Sequence, residues 1–420
     1  MHSILFFLCL VPIVVSAQQV SDTLRLSDLV IEALRNNPEL KAFEYHRDAM
    51  EVRAEAVGRL DDPELTFMHE MMPNFRWSGA MYSRIGIMQR LPFPGKLAAQ
   101  STIAEINAEH AHHEHMEKAN EVLARLRSAY YELWFAQRAA LLNRENARLL
   151  EQFTKITQTR FSVGQAPQQD VLKAYVEIAK LDNQLVQLRQ QELMAKAMLR
   201  TLLYRPSTDT LGIASVSQEV APLPSEDTLQ VLAQRFRGMI LHDSLSVEEA
   251  NEMLSLMKKE SLPDLTLGIE YMTIPNGNTR AWSVSAGISL PFMPWSLARN
   301  SAKVEEAEIQ ISRRQSALNN TRAMIRSAIT ALYAKAEALR KQLDNYSSVI
   351  VPQAQRSVQA SMIAYQTGTT DFLMLIDSYR MLVELSMEQL MLRMQYELTV
   401  AELKREVGYA GIFDLQRERR

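Results

Sequence analysis

Glycine is scarce in this chain, 13 in 420 residues, and there is a single cysteine, Cys9. So little glycine argues against a loop-rich or all-β domain and leaves long helices, which the abundant Ala, Leu, Gln, Glu, Arg and Met favour. One cysteine rules out a disulfide framework. The formal charge of −3 supplies no basic field, so nucleic acid is not an expected partner. Beyond residue 17 no run of about eighteen apolar residues occurs, which excludes a membrane-spanning helix and leaves strands as the only route into a bilayer. Glycine-rich phosphate loops, a nucleophile elbow and a metalloprotease motif are all missing, and the carboxylates are spread along helical faces, so neither catalysis nor a cofactor is expected.

What is present begins with an apolar run from Ile4 to Val15 that ends in Val15-Ser16-Ala17. A short apolar core before small residues reads as a secretory signal over residues 1–17. Cys9 falls inside it, so the mature chain is expected to carry no thiol.

The rest is one unit written twice. Pro63-Glu64-Leu65-Thr66-Phe67 returns about two hundred positions later as Pro263-Asp264-Leu265-Thr266-Leu267, and Leu91-Pro92-Phe93 returns as Leu290-Pro291-Phe292. Phe161-Ser162-Val163-Gly164 with Asp170 has its counterpart in Tyr365-Gln366-Thr367-Gly368 with Asp371. A fixed period decides architecture, and it divides the chain into repeats at 18–215 and 216–420.

Each repeat is expected to hold two strands, at 63–72 and 81–91 and at 263–273 and 282–291. Their alternation is strict. Leu65, Phe67 and Met71 oppose Thr66, Met68 and Glu70; Leu265, Leu267, Ile269 and Tyr271 oppose Thr266, Gly268 and Glu270; Trp282, Val284, Ala286 and Ile288 oppose Ser283, Ser285 and Gly287. One apolar and one small or polar face suits a tilted strand with lipid outside and water inside, and equally a hairpin covering a helical core. Between the hairpins, 96–161 and 298–365 lack glycine, and only Pro352 interrupts them, so each could run as one helix of roughly 100 Å. Ile325, Ile329, Leu332, Ala336, Leu339, Leu343, Tyr346 and Ile350 follow the 3.5-residue period of a coiled-coil seam, and Val171, Tyr175, Ile178, Leu181, Leu185 and Leu188 nearly repeat it. Shorter helices are expected at 39–60, 241–261, 168–203 and 371–407. The fold class is mainly α with a small β part, which a periplasmic coiled-coil scaffold would also satisfy.

The duplicated turns (Phe161, Gly164, Asp170; Tyr365, Gly368, Asp371), the Asn37-Pro38-Glu39-Leu40 opening and the paired Leu-Pro-Phe resemble the TolC-like outer-membrane efflux family over the whole mature length. The resemblance implies a homotrimer in outer-membrane lipid, its twelve-stranded barrel continued by a helical barrel through the periplasm. It implies a passive exit duct served by a periplasmic adaptor and an inner-membrane pump of the RND type. It sets Asp170 and Tyr365 as partners at the closed periplasmic tip and Asp377 on the pore side of the last helix; near a helix start, Asp170 is equally suited to cap it. Thr370 stands where many members carry a basic residue, so that part of the latch is not expected. Leu91-Pro92-Phe93-Pro94-Gly95-Lys96-Leu97 after Met68-His69-Glu70-Met71-Met72 resembles the heavy-metal cation branch; drug efflux and type I protein secretion are the family's other uses. His110, His112, His113 and His115 read chiefly as a solvated helix face, with His110/His113 and His112/His115 spaced to hold a cation.

Overall fold

The structure is a computed structural model describing residues 23–71, 80–217, 219–220, 222–274 and 279–408. The expected signal segment with Cys9, and Met72 of the methionine-rich stretch, lie outside the described residues.

The first repeat runs β1 (Thr23–Leu24), α1 (Leu26–Asn36), α2 (Pro38–Val57), β2 (Glu64–Met71), β3 (Ala80–Leu91), α3 (Lys96–Ser162), α4 (Gln168–Leu203) and β4 (Ile213–Ala214). The second runs α5 (Glu226–Phe236), α6 (Gly238–Glu260), β5 (Leu265–Ile274), β6 (Thr279–Ile288), α7 (Pro294–Asn345), α8 (Val351–Gln366) and α9 (Phe372–Val407). The expected long helices are there, α3 at 67 residues. The second is interrupted by a π-helical turn at Tyr346–Ile350, just before Pro352. Proline lacks the donor its turn requires and its ring presses on the carbonyl four residues back, and a widened turn relieves both. The strand expected at 282–291 begins earlier and ends at Ile288, because Pro291 follows and the end of β6 is fixed by Ser289 and Asp264. The helices α1 and α5 and the small parallel pair β1–β4 were not expected from the sequence.

Each repeat has the same joint. Asn37 between α1 and α2 accepts from the Glu39 and Leu40 amides and donates to the Leu202 carbonyl at 2.8 Å. Arg237, in the matching place between α5 and α6, donates to the Arg405 carbonyl at 2.7 Å and pairs with Glu117. Both are buried, and both tie the kink to the end of the repeat's last helix.

The sheet has the order β2-β3-β5-β6, antiparallel throughout. In register, Phe67, Ile85, Tyr271 and Trp282 share one row and Leu65, Ile87, Ile269 and Val284 the next, so one face is apolar across four strands. It is not covered: Val284 is 81% exposed and Phe67 64%. The opposite face carries Thr66, Ser283, Ser285 and the Arg84–Glu270 pair at 3.2 Å. A sheet exposing its apolar side inverts the usual arrangement of a hairpin on a helical core. Below it, α3 packs on α2, α4, α6 and α9, and α7 on α6 and α9. In the α7 seam Ile325, Ile329, Ala336, Leu339 and Leu343 are buried; of the six stripe residues expected on α4, Leu181 and Leu188 are buried and Tyr175 is exposed.

Candidate functional site

The two turns at the far end of the helices are built identically. Gly164 and Gly368 both have φ 76°, a left-handed conformation that costs glycine nothing. After each, the chain closes the helix with the same pair of bonds: Gly164 N–H to Phe161 and Gln165 N–H to Arg160, Gly368 N–H to Tyr365 and Thr369 N–H to Ala364. This is a Schellman closure made twice. Phe161 is exposed beside its turn.

Tyr365 lies in a cluster with Phe153, Phe372, Leu375 and Tyr379 that welds the tip together. Its hydroxyl reaches Thr157 Oγ1 at 3.4 Å, and within one chain its polar contacts run to Thr157 and Arg160, not to Asp170. Arg160 comes from the other repeat, donates to the Tyr365 carbonyl and lays its guanidinium over the Tyr365 ring at 4.7 Å. Arg160 lies outside the turn motif read from the sequence, and its place one turn ahead of Gly164 is the signal that could have found it. Asp170 does not cap α4, whose N-cap position is Pro167 with no side-chain bond. Asp371 is the capping carboxylate, accepting from the Met374 amide at 3.0 Å. The Asp170 carboxyl is pushed up by burial, with Lys173 opposing, Asp371 adding and Arg160 opposing.

Asp377 is exposed on α9, with side-chain exposure of 56%. Arg380 sits 3.5 Å from it and gives its shorter contact, 2.6 Å, to the buried Glu177 on α4. Burial alone would raise the Glu177 carboxyl, but the bonds from Arg380 and Lys180 outweigh it and hold it low.

The histidines correct one expectation. Of the four only His112 is exposed; His110 is 8% exposed and His113 and His115 are half-buried, because α6 packs over His110 and His113 and α2 lies beside His115. The His110 ring lies 4.3 Å from that of His242 on α6, and its Nε2 is 3.8 Å from Glu249. Burial first, then the neighbouring imidazoles, lower the His110 pKa to about 4. Among the described residues no three His, Cys, Asp or Glu side chains are grouped to hold a metal ion.

At the foot of the sheet, Asp264 gathers Arg90 (2.7 Å), Lys96 (2.7 Å) and the Phe93 amide (2.9 Å), while its own amide donates to Ser289. Burial would raise this carboxyl; the hydrogen bonds bring it down to about 2. Lys96 of the Phe-Pro-Gly-Lys motif is thereby committed to joining the repeats.

The profile of the outer membrane efflux protein family matches residues 29–203 and 238–409. Solved structures of the same fold include the outer-membrane channel OprN (18% identity, TM-score 0.78, covering 91% of this chain and 89% of that one). VceC of Vibrio cholerae matches at 16% identity and TM-score 0.76, covering 91% and 96%. CusC matches at 16% and 0.73, covering 91% of each. No curated protein matches. Among the described residues no helix is long and apolar enough to cross a membrane. The chain belongs to the outer membrane efflux protein family, non-enzymatic ducts in the outer membrane with a periplasmic helical extension.

Proposed function

We propose that three copies of this chain, twelve strands in all, close one barrel and form the exit duct of a tripartite system that exports heavy-metal cations. The observation that carries the barrel is the one-sided sheet with β2 and β6 at its two open edges. Four strands cannot close on themselves, and open edges are not tolerated in lipid, so further copies must complete the ring. Residues 18–215 and 216–420 are the two repeats in this reading. Energy and selection come from a periplasmic adaptor and an RND-type inner-membrane pump. At the tip, Asp377 faces the pore, and Asp170 and Tyr365, with Arg160, belong to the closed state.

Heavy-metal cargo is supported by the Leu91–Leu97 motif and by Met68, Met88 and Met272, which the strand register puts on the polar face of the sheet with Thr66 and Arg84. Thioethers on a water-filled side suit soft cations better than hydrophobic drugs. Deleting the gene is expected to sensitise cells to copper, silver, zinc, cobalt or cadmium more than to hydrophobic drugs or detergents. Sensitivity to drugs alone would assign the duct to general efflux, and a secretion defect alone to type I export.

A further inference from the structure

Helical spacing fixes which residues of α9 share the face of Asp377. Steps of three and four lead from Asp377 back to Met374 and forward to Met381, Glu384, Glu388 and Met391. All six are exposed, while Leu375, Ile376, Tyr379 and Leu382 between them are buried in the core of the tip. The stripe covers about 26 Å at 1.5 Å per residue. It carries three thioethers and three carboxylates, with Asp377 between Met374 and Met381.

Packing within the chain does not account for these methionines. Met374, Met381 and Met391 are 59%, 55% and 42% exposed, whereas Met387 and Met394 of the same helix pack on the cluster around Phe135 and Leu188. Core-filling methionine is therefore present on the inner side, and the outer three are something else. The charge beside them is negative. Arg380, the cation nearest Asp377, is drawn off the stripe to Glu177, and Glu388 is held by the Tyr346 hydroxyl. Carboxylates attract any cation; a thioether sulfur is a neutral, soft donor that binds Cu⁺ and Ag⁺ and ignores Mg²⁺ and Ca²⁺.

We propose that this stripe is a binding track for soft monovalent cations, with Met374 and Met381 as the sulfur donors on either side of Asp377. The two methionines are about 10 Å apart along the helix and cannot grip one ion within a chain. Copies of α9 around the pore supply a ring of sulfurs at each level, with the Asp377 carboxylates between them. The inference rests on α9 facing the pore, and it narrows the cargo from heavy metals in general to those that bind thioethers.

The test uses the full mature chain in planar bilayers under chloride-free salt, with silver nitrate or a calcium salt added on the periplasmic side. Silver is expected to block single-channel current in the wild type. Met374→Leu with Met381→Leu, which keeps volume and loses sulfur, is expected to raise the half-blocking silver concentration by about tenfold or more while calcium block persists. Asp377→Asn is expected to do the reverse, weakening calcium block and retaining silver block. Wild-type silver sensitivity in the double Leu variant overturns the proposal. Met381→Cys separates the two readings: a membrane-impermeant thiol reagent must alter its current if α9 lines the pore. No effect would sink the pore-facing reading and the track with it, whereas an effect without sulfur-dependent silver block would sink the track alone.

Discussion

Asp264 shows what a single residue contributes and how little of that is visible locally. Its position in the repeated Pro-x-Leu-Thr motif marks it in the sequence, but its partners, Arg90 and Lys96, come from the other repeat. A contact over that separation leaves no periodic trace. The same holds for Arg160, whose partner Tyr365 is 205 positions away, and for His110, which only the packing of α6 buries. Removing the charge of Asp264 would leave Lys96 buried without its counter-ion, and breaking a buried pair costs about 3–5 kcal/mol. Asp264→Asn is therefore expected to lower the thermal midpoint of the detergent-solubilised protein markedly, and Glu64→Gln, at the exposed matching position of the first repeat, to leave it nearly unchanged. The pH dependence has a definite sign. The folded pKa is below the ordinary 3.8, so this contribution is complete above about pH 4 and is lost as pH falls toward about 2. Asp264→Asn should abolish that part of the acid sensitivity, which pH-dependent melting curves would read.

Elements were the most legible scale where periodicity is long. The α3 and α4 boundaries, the strand faces and both turns follow from glycine and proline positions and from steps of two or of three and four. The short elements were not legible: α1 and α5 have 11 residues each, and β1 and β4 two each, and they depend on tertiary packing, α1 and β4 against α3 and α5 against α7 and α9. Proline at 352 signalled a break, yet the surrounding helix absorbed it in a π turn. The glycines that end helices make different predictions. At Gly164 an added Cβ meets nothing within 4 Å, so Gly164→Ala pays only the left-handed conformation, about 1 kcal/mol. At Gly408, also left-handed, the same Cβ would land on the backbone of Phe236 and Arg237. Gly408→Ala is expected to lower the unfolding midpoint several-fold more than Gly164→Ala in parallel denaturation curves.

At the scale of the whole molecule, duplication was readable because the motifs recur in order, and it explains why α3 and the α7–α8 run have similar reach. Joining of the two hairpins into one sheet was implied by the family resemblance and not by the residue pattern, since the pairing of β3 with β5 crosses the repeat boundary. That pairing produces the feature the functional account depends on, a sheet with an exposed apolar face, a polar face and two free edges. The most direct test is the accessibility of two neighbouring residues on β6 in the assembled protein, using single cysteines at Val284 and Ser285. In a membrane barrel a membrane-impermeant thiol reagent is expected to modify Ser285→Cys readily and to leave Val284→Cys protected by lipid. Equal modification of both would contradict a membrane barrel.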